Sequence, residues 1–215
     1  MSETTNSAEA VKPLRVTVLI SGGGTTLRNL LAQIDLSGLP IEIVAVISST
    51  PKARGLEYAR ASHIHTAIFE RGAYDSDEAY GRVVFEECRR SNCEFVVMGG
   101  FLKFVPIPDD FAWRVINIHP SLIPAFCGHG MYGHHVHEAV LNSGVKLTGC
   151  TVHFVDNQYD HGPIILQRAV PVLDGDTPET LAARVFEAEC QAYPDALRLI
   201  ASGKLIHDGR RVRVR

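Results

Sequence analysis

Leu14-Arg15-Val16-Thr17-Val18-Leu19-Ile20 runs directly into Ser21-Gly22-Gly23-Gly24-Thr25-Thr26, and this junction decides the fold. The largely apolar first stretch reads as a strand of the fully buried kind. The glycines turn it into a helix that opens near Thr25 and continues to about Ile34. Glycines here let unhindered backbone approach a ligand, and free amides at the helix start can hold an anion. Gly22, Gly23, Gly24, Thr25 and Thr26 are therefore candidates for a phosphate site, the plain alternative being a tight strand-to-helix turn. The stretch lacks the Walker lysine and the full Gly-x-Gly-x-x-Gly fingerprint, which weighs against ATP and NAD and suits a monophosphate.

Outward from this junction, strand and helix alternate. Strands are expected at Ile41 to Ile47, His65 to Phe69, Phe95 to Met98 and Val115 to Ile118. Helices are expected at Ala53 to Ser62 and from a Ser76 or Asp77 cap to about Ser91. That alternation argues for a parallel, doubly wound sheet with right-handed crossovers. Later the pattern changes: Lys146 to Val155 and Ile164 to Val172 read as two long antiparallel or mixed strands. A closing helix runs from Thr177 to about Ile200, with threonine as cap and Pro178 in its first turn. The expected fold class is α/β, a Rossmann-like doubly wound and mostly parallel sheet with a β-extended C-terminal half.

A chain of 215 residues, 46% hydrophobic and 21% charged, suits one substantial core. The expected organisation is a disordered extension at 1–13, one domain at 14–207 and a basic tail at 208–215. A formal net charge of -3 gives no general attraction to nucleic acid or anionic membranes. The arginines of the tail make too small a footprint for a nucleic-acid arm and read as a solvated terminal strand or frayed end. Cys88, Cys93, Cys127, Cys150 and Cys190 are odd in number and hold no Cys-x-x-Cys pair, so a reducing cytoplasm is the simplest setting. No signal peptide or membrane-length apolar run is present.

The chemistry concentrates in Asn117-Ile118-His119-Pro120-Ser121-Leu122 and in Tyr159-Asp160-His161-Gly162-Pro163. Asn117 and His119 fall at the carboxyl end of a strand, two residues apart and on one face, at the sheet edge where ligands bind in open α/β folds. An amide can donate to a developing oxyanion, an imidazole can move a proton, and a carboxylate can fix that imidazole's protonation state. Those are the groups that acyl transfer to an amine requires.

These motifs, with the early glycine-rich loop, resemble the folate-dependent phosphoribosylglycinamide formyltransferases, from about Leu14 to about His207. The resemblance implies a formyltransferase fold. It also implies transfer of a formyl group from 10-formyltetrahydrofolate, the co-substrate, to the amine of glycinamide ribonucleotide, with no metal. By the same resemblance Asn117, His119 and Asp160 are catalytic, with His153 supporting them. Gly24, Thr25 and Thr26 hold the ribonucleotide phosphate, and Pro120 and Glu189 touch the ribonucleotide. Leu102, Lys103, Phe104, Val105 and Asp156 line the folate site. Taken by themselves, residues 101–106 read equally as core or as a pocket wall for a flat pterin, and Glu189 as an exposed helical carboxylate. A monomer or homodimer is expected, with no nucleic-acid or membrane partner.

The histidine-rich stretch 129–137 invites a metal reading. A glycine-rich loop leading into a helix from Val136 to Asn142 is more economical, because His-Glu-x-x-His is absent and adjacent histidines on a helix diverge. Cys127 needs no nucleophilic role if an amine attacks an activated formyl group directly. The rival readings are a formyltetrahydrofolate hydrolase, a formyltransferase acting on another amine, and a non-catalytic nucleotide-binding module. The hydrolase family normally carries a further N-terminal domain, whereas only about thirteen residues precede the first strand here. A transfer-RNA formyltransferase would need a C-terminal RNA-binding domain.

Overall fold

The first strand, β1 (Leu14–Ile20), is buried from Val16 onward, as its apolar content requires. In the computed structural model, which describes residues 12–215, it lies in the middle of a seven-stranded sheet. The expected N-terminal extension falls outside those residues except for its last two positions. On one side of β1 lie β2 (Ile41–Ser48) and β3 (His65–Ile68); on the other lie β4 (Phe95–Met98) and β5 (Val115–His119). All four neighbouring pairs among these five strands are parallel. Beyond β5, β6 (Leu147–Phe154) and β7 (Ile164–Pro171) are added antiparallel, forming the β-rich extension.

The strand order reverses between β1 and β4, so their carboxyl ends diverge and leave a crevice. Helix α1 (Thr25–Ser37) starts at that crevice and ends at Gly38, whose backbone N–H returns to Gln33 C=O from a left-handed conformation. Ser76 caps α3 (Asp77–Arg90) by accepting from the Ala79 N–H, and α2 (Gly55–Ala61) is shorter than expected. α4 (His134–Ser143) begins two residues before the expected start at Val136. Thr177 caps α5 (Pro178–Ala201), whose buried Tyr193 hydroxyl lies 3.0 Å from the carbonyls of both Met98 and Ile116. That contact ties α5 to the carboxyl end of β4 and to the start of β5.

Two features depart from the sequence reading. No α-helix joins β4 to β5; only a 3₁₀ turn at Asp109–Phe111 does. Pro106 and Pro108 explain this, since each lacks an N–H donor and disfavours helix in the residue before it. The second is the tail: β8 (Leu205–Asp208) pairs antiparallel with β9 (Arg211–Val214) as a hairpin that runs across the expected boundary at 207. Its Leu205 and Val212 pack against the core, and His207 stacks flat on Trp113 at 4.0 Å.

Candidate active site

A cavity of about 490 Å³ opens at the carboxyl ends of β1, β4 and β5 and is closed from the far side by α5. It is lined by Thr25, Thr26, Leu102, Lys103, Phe104, Val105, Asn117, His119, Pro120, His153, Asp156, Asp160 and Glu189. Gly22, Gly23 and Gly24 are not in the lining; they form the approach to Thr25.

Strand alternation puts Asn117 opposite His153 and His119 opposite Thr151 across the β5–β6 pair. His153 donates from Nδ1 to the Phe154 carbonyl at 2.8 Å, which leaves Nε2 without a proton in the neutral ring. Burial holds this imidazole below its ordinary value, consistent with that neutral form. Nε2 is then an acceptor for the Asn117 Nδ2 amide at 3.4 Å, so its 3.8 Å approach to Asp160 Oδ1 is not an ion pair. The contact orients the Asn117 amide and leaves its second N–H free.

His119 is almost wholly buried and meets an oxygen acceptor at each nitrogen. Nε2 donates to the Phe126 carbonyl at 2.8 Å, and Nδ1 lies 3.5 Å from Asp160 Oδ2. A doubly protonated ring satisfies both. The same Oδ2 accepts from the Gly128 N–H at 2.9 Å, so one loop touches both members of the pair. Ser121, fully buried, holds that loop: its hydroxyl donates to the Ala125 carbonyl at 2.6 Å and lies 3.3 Å from that of Phe126. Beneath it the Thr151 hydroxyl donates to the Ser121 carbonyl at 2.7 Å and accepts from Gln167 at 3.0 Å. The sequence reading assigns no role to Ser121, Phe126 or Gly128. The last two act through main-chain groups, the Gly128 N–H from a left-handed conformation (φ +97°) that favours glycine, and only the position of Ser121 beside the His-Pro pair hints at its part.

Gly24 and its neighbours meet different surroundings. Gly24 has φ +70°, is buried, and a Cβ there would run into Gly55 Cα, so its missing side chain serves packing against α2. Gly22 and Gly23 have no atom within 4 Å of a built Cβ and are the ones that leave room for a ligand. No side chain caps α1, so its first amides remain available to an anion.

Glu189 projects from α5 into the cavity, and burial pushes its carboxyl up to about 8. This corrects the exposed-carboxylate alternative. Phe104 and Tyr159 meet at 5.3 Å on the opposite wall, and Asn157 ties their two loops by accepting the Ile107 N–H at 2.7 Å. Residues 129–137 form loop and helix start; among the described residues no group of three or more His, Cys, Asp or Glu is poised to hold a metal.

A family model described as formyl transferase matches residues 14–197. The chain is 34% identical over 208 residues to the chloroplastic phosphoribosylglycinamide formyltransferase of Arabidopsis thaliana, covering 95% of this chain and 71% of that protein. It is 41% identical over 192 residues to the trifunctional purine biosynthetic protein adenosine-3 of Gallus gallus, covering 88% of this chain but spanning only 19% of that protein. Its fold superposes with a TM-score of 0.89 on the crystal structure of glycinamide ribonucleotide transformylase 1 from Symbiobacterium toebii, at 40% identity and with 95% of each chain covered. The chain belongs to the formyl transferase family.

Proposed function

We propose that this protein transfers the formyl group of 10-formyltetrahydrofolate to the amine of glycinamide ribonucleotide, giving formylglycinamide ribonucleotide in purine biosynthesis. One observation carries the reading: an amide, a buried imidazole and a carboxylate converge on a single cavity entered beside the open start of α1. The amine nitrogen attacks the formyl carbon, charge gathers on the formyl oxygen, and the bond from carbon to folate N10 breaks. The amine's proton ends on that nitrogen.

The free N–H of Asn117 is the donor for the developing oxyanion, and His119 in its protonated form adds positive charge beside it. Asp160 pairs with the imidazole and serves the proton's passage between the two nitrogens. His153 supports the reaction by fixing the Asn117 amide. The amides of Thr25 and Thr26 take the ribonucleotide phosphate, with Gly22 and Gly23 giving it room. Pro120 and Glu189 border the ribonucleotide. A carboxyl that keeps its proton to about pH 8 offers that ligand a donor and an acceptor together. Leu102, Phe104 and Val105 offer an apolar wall to the pterin, Asp156 lies beside it, and Lys103 at the mouth suits an anionic glutamate tail. No step needs a metal. We place the reaction in the cytoplasm: all five cysteines are free, and no helix among the described residues is long and apolar enough to cross a membrane.

The test is turnover by purified protein given 10-formyltetrahydrofolate with glycinamide ribonucleotide or with water alone. Formylated ribonucleotide formed well above the rate of hydrolysis is expected. Hydrolysis unaffected by the ribonucleotide would refute the assignment of acceptor, and binding without turnover would refute catalysis.

A further inference from the structure

We propose that Arg210, at the tip of the C-terminal hairpin, is a positioning residue that holds loop 156–162 and through it Asp160. The role for Asp160 rests on the function proposed above; the clamp itself rests on geometry. Asp160 has φ +49°, a left-handed conformation uncommon for a residue with a side chain, though Asp tolerates it better than most, and the loop around it is tied in place. The loop ties itself through Asp156, whose Oδ1 accepts from the Gln158 N–H at 2.9 Å and whose Oδ2 accepts from His161 Nδ1 at 2.7 Å.

With its proton on Nδ1, His161 presents a bare Nε2. Arg210 Nη1 donates to that nitrogen, while Nη2 donates to the His161 carbonyl at 2.8 Å. One guanidinium thus grips both the ring and the backbone of the residue next to Asp160. A planar fork of two donors suits that task, and a lysine ammonium reproduces only one of the contacts at a time. The hairpin tip is itself fixed, because His207 stacks on Trp113 and Val212 packs into the core. On the loop's inner side Gly162 is pressed against the Phe154 carbonyl, so the chain cannot retreat there. The basic tail thereby acquires a task within the fold.

The His161 and Asp156 side chains are 43% and 38% exposed, which limits the strength of the clamp and sets the scale of the expected effect. Arg210→Ala should lower kcat/KM for the folate about threefold to tenfold and leave KM for glycinamide ribonucleotide unchanged. Amide hydrogen exchange should speed up at 157–162 while the parallel strands keep their protection. Arg210→Lys should fall between. His161→Gln, whose amide can donate to Asp156 and accept from Arg210, should retain most of the rate that His161→Ala loses. Wild-type kinetics and exchange in Arg210→Ala, or equal damage from both His161 variants, would overturn the proposal. If the wild-type protein does not formylate the ribonucleotide, the functional reading fails separately and the exchange data alone decide on Arg210.

Discussion

Glu189→Gln tests the site through stability alone, with no substrate needed. Burial pushes the Glu189 carboxyl from its ordinary 4.5 up to about 8. Between those values the native protein keeps a proton that the unfolded chain has released, so stability falls as pH rises, by about 1.4 kcal/mol for each pH unit. The loss is complete near pH 8, where it totals about 5 kcal/mol, a large part of a typical domain's stability. That figure is a ceiling, because the carboxyl faces a cavity open to water. Glutamine keeps the shape of the protonated acid and cannot ionise. The variant should match the wild type near pH 4.5 and exceed it by about 2 to 5 kcal/mol above pH 8. Urea denaturation of both proteins across that range reads the difference directly. A gap that stays constant with pH would show that Glu189 is not held in its neutral form.

Asp160→Asn and His119→Ala should each lower turnover by about two orders of magnitude or more, and the double variant should be little worse than the poorer single one. Additive losses would mean that the two do not act as a unit. Ser121→Ala removes the hydroxyl that holds the Phe126 loop through the Ala125 carbonyl and should cut kcat about tenfold, with both KM values within about twofold. A lower melting temperature with kcat intact would reduce Ser121 to a structural role. Gly24→Ala should destabilise by more than about 2 kcal/mol, since it combines a positive φ with a backbone clash. Gly23→Ala should fold normally and weaken the ribonucleotide rather than the folate; equal loss for both ligands would remove the phosphate assignment.

The parallel half of the sheet was legible because strands buried on both faces read as near-continuous apolar runs, and β1, β2 and β4 are largely apolar in this way. Within the side-chain trio, Asn117 and His119 were legible for a related reason: alternation along β5 sends them the same way wherever the strand begins, whereas Asp160 came with the resemblance. What escaped was carried by the main chain. The Phe126 carbonyl and the Gly128 N–H complete the surroundings of His119 and Asp160 through main-chain atoms, from residues that both have positive φ. Gly24 shows a different limit. Composition reveals that a glycine is present but not which way its bare Cα faces, and here it faces Gly55.

Glu189 was within reach of the sequence after all. Leu181, Val185 and Tyr193 are buried on α5, and Glu189 continues their four-residue spacing on the same stripe. Ala192, Ala196 and Leu197 confirm that this stripe faces the core. A carboxylate at such a position is either turned out to solvent or kept neutral by its surroundings. Next to a helix segment that also supplies Ala182, Val185 and Phe186 to the cavity wall, the second outcome follows. An acidic residue interrupting an otherwise apolar helical stripe is costly to keep unless a ligand uses it. The periodicity of α5 therefore places Glu189 on the stripe that faces the cavity, on grounds independent of any family resemblance.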